Sequence, residues 1–124
     1  MTYREKRVLF STLLAQLVIW INKDVSGDGE VWEVTIDECM IHTPRWVRIG
    51  LERVMATDSV HLRKSHHYQG LAADLNLYVN GEYIRDGDHL AWKTIIAHWK
   101  SMHKLCTNGA GWNDANHFSL GEGL

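Results

Sequence analysis

The sequence predicts an α+β domain in which a small antiparallel sheet is flanked by helices. Three observations carry this. Apolar residues recur at helical spacing in two stretches, they alternate with period two in two others, and an Asn-Gly pair follows the second alternating run where a two-residue hairpin requires it. The 124 residues, with one Pro, ten Gly and 45% apolar residues, suffice for a core without staples, so residues 1–124 are read as a single domain. No internal repeat or linker interrupts them.

The first helix is read around Val8 to Ile21. Phe10, Leu13, Leu14, Leu17, Trp20 and Ile21 fall in one arc at about 100° per residue, while Glu5, Thr12, Gln16 and Lys23 share the other side. Arg4, Lys6 and Arg7 ahead of this stretch give it a superficial likeness to a secretory signal. A polar face and the lack of an A-x-A site argue against that, and the apolar run is too short for the roughly 20 residues that span a bilayer. The expectation is therefore synthesis in the cytoplasm without stable membrane insertion, a signal or anchor over residues 1–25 being the lesser alternative.

Lys23 to Glu30 concentrates turn formers, and Trp32, Val34 and Ile36 then alternate with Glu33 and Thr35 as a half-buried strand. Residues 42–64 read as irregular with one or two helical turns. From Leu71, Ala73, Leu75, Leu77 and Val79 point one way and Ala72, Asp74, Asn76 and Tyr78 the other. Asn80-Gly81 supplies the positive-φ turn onto Glu82-Tyr83-Ile84. Asp88 is expected to cap a second helix, whose Trp92, Ile95, Ile96, Trp99 and Met102 repeat to about Leu105; the Gly-rich tail from Thr107 reads as loop or short strand.

Composition excludes several classes of function. A net charge of −2 provides no broad basic face, so nucleic acid is not an expected partner. Cys39 and Cys106 form no C-x-x-C, which leaves two free thiols or one bridge and no thiolate zinc finger. The excess is in histidine, eight in all, and the chemistry is expected there. His67, Asp74 and His117 make a set of two imidazoles and one carboxylate, which leaves a fourth tetrahedral position open as catalytic zinc sites do. Asp74 lies on the polar face of its strand and so can point into a cleft. Asp114, three residues before His117, can lie beside the metal as a general base without being a ligand. The same donor set also serves non-haem Fe(II) oxygenases, but those carry an H-x-D pair on a many-stranded β framework. Taken singly, His67 would be an ordinary loop histidine, and Asp74 and Asp114 turn carboxylates.

Read together, Ser65-x-His67-x-x-Gly70-x-Ala72-x-Asp74 and Asp114-x-x-His117-Phe118 resemble the paired motifs of the M15 zinc peptidases, which include D-alanyl-D-alanine carboxypeptidases and phage L-alanyl-D-glutamate endopeptidases. The resemblance is carried by residues 63–80 and 111–119. It implies a Hedgehog/DD-peptidase-like fold, Zn2+ held by His67, Asp74 and His117, Asp114 as catalytic base, and the stem peptide of peptidoglycan as substrate. It further implies a lysin that meets the wall after release from the host cytoplasm, and a monomer is expected. Family members often carry an Arg before the Thr-Pro that precedes the first motif, where it holds a substrate carboxylate; this chain has His42 there, leaving Arg45, Arg48 or Arg63 to take over. Ser65 is expected to order the ligand loop or touch substrate, and Trp112 to wall the cleft.

Overall fold

A computed structural model describes residues 1–27, 29–38 and 71–121. In chain order these form helix α1 (Tyr3–Ile19), a single π-turn (Trp20–Asp24), strands β1 (Ser26–Gly27), β2 (Glu30–Glu38), β3 (Ala72–Val79) and β4 (Glu82–Tyr83), helix α2 (Leu90–Met102), β5 (Cys106–Gly109), a 3₁₀ turn (Ala110–Trp112) and β6 (Asp114–Leu120). Every described pairing is antiparallel, in the order β1-β2-β3-β6-β5 with β4 beside β3. The α+β class with a small antiparallel sheet is thus observed, with two helices among the described residues.

Helix α1 starts earlier than its apolar arc. Thr2 and Glu5 form a capping box, the Glu5 carboxylate accepting from Thr2 N (2.7 Å) and the Thr2 hydroxyl from Glu5 N (3.1 Å), and this satisfies two otherwise orphaned donors. Phe10, Leu13, Leu14, Leu17 and Ile21 are buried as the wheel requires, whereas Trp20 stays half-buried and stacks on His98 at 3.7 Å. His98 is therefore part of the contact between the two helical segments. Asn22 fixes the end of the π-turn: its amide donates to Val34 O and accepts from Val34 N, completing an edge of β2 that β1 leaves uncovered.

Alternation on β3 is as expected. Ala73, Leu75, Leu77 and Val79 are buried on one face, and Asp74, Asn76 and Tyr78 are half-buried on the other. Asn80 (φ 51°) and Gly81 (φ 80°) make the hairpin turn. On β2, Trp32 and Val34 are buried, but Ile36 is 49% exposed beside the bulge that shifts register between Ile36 and Glu38. Helix α2 is capped by His89, whose Nδ1 accepts from Ala91 N at 3.0 Å, and not by Asp88, whose own N–H is held by the Asp86 carboxylate. The helix ends at Met102, where His103 turns extended and accepts from Leu105 N.

The core joins α1, α2 and the inner face of the sheet. Trp99 meets Phe10 and Phe118 edge-on and donates its indole N–H to Thr107 O at 2.9 Å, fastening α2 to β5 and β6. Cys106 is a free thiol buried in this layer, and burial pushes its pKa from the ordinary 9.0 up to about 11. The unfolded chain therefore releases this proton first. The thiol's contribution to stability is whole below pH 9 and lost as pH rises to about 11. Thermal midpoints recorded across that window should fall more steeply for the native chain than for Cys106→Ala; parallel curves would refute the assignment.

Candidate functional site

The site is built on the polar face of β3 and β6. Asp74 and His117 are direct partners in the ladder, and the two residues after them in the motifs' strands go the other way: Leu75 and Phe118 are fully buried in the core. Because side chains alternate along a strand, anchoring Phe118 among Trp92 and Trp99 presents His117 on the opposite face. The same logic presents Asp74. His117 Nδ1 stands 3.3 Å from Asp74 Oδ1, with both side chains about one-fifth exposed.

Asp114 completes the group. One donor atom each from Asp74, Asp114 and His117 lies within 4.8 Å of the others, although 40 residues separate Asp74 from Asp114 in the chain. Asp114 is exposed at the start of β6, just after Asn113, whose left-handed conformation (φ 59°) ends the 3₁₀ turn. Trp112 on that turn is 79% exposed, the most exposed large apolar side chain among the described residues.

One pair in this group has a separation that a shared metal ion would accept. Two donors each about 2.0–2.1 Å from zinc at a tetrahedral angle stand about 3.3 Å apart, whereas a charge-assisted N–H···O bond prefers about 2.7–2.9 Å. The 3.3 Å between His117 and Asp74 has the first value. An imidazole with carboxylates is also the donor chemistry that zinc accepts. Without a metal, the same atoms make a loose Asp–His hydrogen bond that orients the ring.

Of the residues expected from sequence, Asp74, Asp114 and His117 converge and Trp112 stands exposed on the adjoining turn. His67, Arg63, Ser65 and His42 lie outside the described residues, as do Arg45 and Arg48. Two further residues belong to the site's surroundings and were not singled out by the sequence reading. Asn108, 9% exposed, donates through Nδ2 to Ala115 O and accepts through Oδ1 from Ala110 N, both at 2.7 Å. Gly109 lies against Asp114 and His117. The available signal was an Asn-Gly step just upstream of the second motif, which reads equally well as an ordinary turn.

A cavity of about 390 Å³ lies nearby, between β6 and β4 where they diverge along one edge of β3. Leu75, Ile84, Arg85, Trp92, Asn113 and Asn116 contribute to its wall, but Asp74, Asp114 and His117 do not. The carboxylate and imidazole group therefore belongs to the surface of the sheet and not to this cavity.

Comparison of the chain with family models, with curated proteins and with solved structures finds no match.

Proposed function

We propose that this chain is a zinc-dependent peptidase acting on the peptide part of bacterial peptidoglycan, with a Hedgehog/DD-peptidase-like form of its α+β fold. The observation that carries the reading is the meeting of Asp74, Asp114 and His117 within 4.8 Å, because they are the described ionisable members of the two motifs that resemble those of M15 peptidases. His67 is the remaining ligand in this reading. Zinc held by such a set supplies a Lewis acid and lowers the pKa of water towards about 7.

The chain's own residues supply the rest. Asp114, exposed beside the proposed ligands, takes a proton from the attacking water as the new C–O bond forms, then returns it to the amine that leaves as the peptide C–N bond breaks. Trp112 offers an apolar wall for the substrate beside Asp114. Ser65 supports the ligand segment. Arg63, with Arg45 and Arg48 as alternatives, grips the substrate carboxylate where His42 replaces the family's usual Arg. On this reading Trp112→Ala raises KM about threefold to tenfold and leaves kcat near its native value, since the ring contacts substrate without sharing the proton transfer. Steady-state kinetics on a stem-peptide fragment would measure it; a loss confined to kcat would remove Trp112 from substrate binding.

Within this class we favour cleavage between L-Ala and D-Glu. Cutting an internal bond opens the murein mesh, as the proposed release of the protein from the host cytoplasm onto the wall requires. Mass spectrometry of murein peptides after digestion tests the reading. Release of L-Ala from the stem supports the endopeptidase, and free D-Ala points to a carboxypeptidase. A zinc-loaded protein that releases neither would be a wall-binding module without turnover.

A further inference from the structure

Strand β6 does not follow β5 evenly. Asn108 pairs with Phe118 and Gly109 with Asp114, so β5 advances one residue while β6 advances four. Ala115, Asn116 and His117 are thereby thrown out of that ladder as an extended bulge, and His117 pairs instead with Asp74 across β3. A bulge of this kind re-aims side chains, but it needs something to fix it, because it gives up ladder hydrogen bonds.

Two adjacent residues of β5 supply the fixing. The buried Asn108 amide bridges Ala115 O, within the bulge, and Ala110 N, in the turn that leads to Asp114. Gly109 supplies room. A Cβ at this position would collide with the Asp114 carbonyl oxygen and stand 2.9 Å from Asp114 Cβ and 3.1 Å from His117 Cβ. The first of these is a contact with backbone, which cannot swing aside as a long side chain could. Any side chain here must push Asp114 and His117 away from their present places, and Asn108 resists the same movement by hydrogen bonding.

We propose that Asn108 and Gly109 are the positioning residues of the site: together they hold the β6 bulge so that His117 reaches the metal ion and Asp114 stands beside it as the base. The proposal rests on the zinc reading above, and it explains why a strand with an ordinary partner on one side departs from register at the point where the second motif begins. Neither residue belongs to the group of candidate donors.

The test uses metal alone, with zinc competed against a chromogenic chelator and cobalt(II) read by its visible absorption. Gly109→Ala and Asn108→Asp should each weaken zinc binding about 10- to 100-fold, the usual effect of losing a group that orients ligands, and should change the cobalt band that reports ligand geometry. Gly111→Ala is the control. It lies on the same turn with nothing within 4 Å of a new Cβ, so affinity and band should match the native chain. Circular dichroism identifies any variant that fails to fold. If Gly109→Ala is one, Asn108→Asp decides: it keeps the side chain's shape, sets an oxygen against Ala115 O in place of the donor, and adds a charge that by itself favours a cation, so weaker binding or a changed band reports lost positioning. Native affinity and an unchanged band in folded variants would overturn the proposal. A native chain that binds neither metal would instead overturn the zinc reading itself.

Discussion

His117→Ala and Asp74→Asn are expected to reduce bound zinc from about one ion per chain to a small fraction and to abolish hydrolysis, because a set of three protein ligands cannot spare one. The two side chains face each other from neighbouring strands at 3.3 Å, so each variant removes one side of the same grip while the ladder beneath them stays intact. The His117→Ala chain also retains the carboxylates of Asp74 and Asp114 without the imidazole between strands. A cation relieves their mutual repulsion, so any residual zinc should be greater in this variant than in Asp74→Asn, which keeps the side chain's volume and removes its charge. Metal content after dialysis, measured beside the circular dichroism spectrum, gives the result. Native zinc content in both variants would exclude this pair from the metal site.

Asp114→Ala carries the second large effect, and the opposite signature in metal content. A base that does not ligate can be removed with zinc retained, and hydrolysis should then fall by about 10² to 10⁴. The expected loss is in kcat, since the carboxylate acts on a proton in flight. Asp114 is close enough to Asp74 and His117 to coordinate as well, so metal analysis of this variant distinguishes the roles. Zinc lost together with activity would make Asp114 a ligand, and near-native turnover would place the base elsewhere.

Much of the fold was legible because its signals are local. The arc of Phe10, Leu13, Leu14, Leu17 and Ile21, the alternation from Ala73 to Val79, and the Asn80-Gly81 turn each express a period or a backbone preference within a few residues. The cap of α2 was misread because Asp88 and His89 can both accept a hydrogen bond, and the choice depends on the turn in which Asp86 takes the Asp88 N–H. Asn22 gave no sign that its amide would stand in for a neighbouring strand, since its partner, Val34, is known only once the chain has folded back. At the site, Asp74, Asp114 and His117 were legible from residue type and spacing. The bulge that brings them together was not. It arises from the mismatch between β5 and β6, and neither strand's own pattern records it.

The chain contains two Asn-Gly steps, and the fold gives them different prospects of chemical ageing. Such steps deamidate readily because the glycine nitrogen can attack the preceding side-chain carbonyl. Asn80 sits in an exposed turn, and its Oδ1 accepts a hydrogen bond from Val31 N at 2.8 Å. Conversion to aspartate preserves that acceptor, whereas opening of the same cyclic intermediate to isoaspartate would lengthen the backbone of the two-residue turn. Asn108 needs its nitrogen to donate to Ala115 O, and conversion would set an oxygen against that carbonyl. Burial and two hydrogen bonds hold its amide in place, keeping the side chain from the conformations that ring closure needs. The step in the hairpin is left open to solvent, while the one beside the candidate site is enclosed.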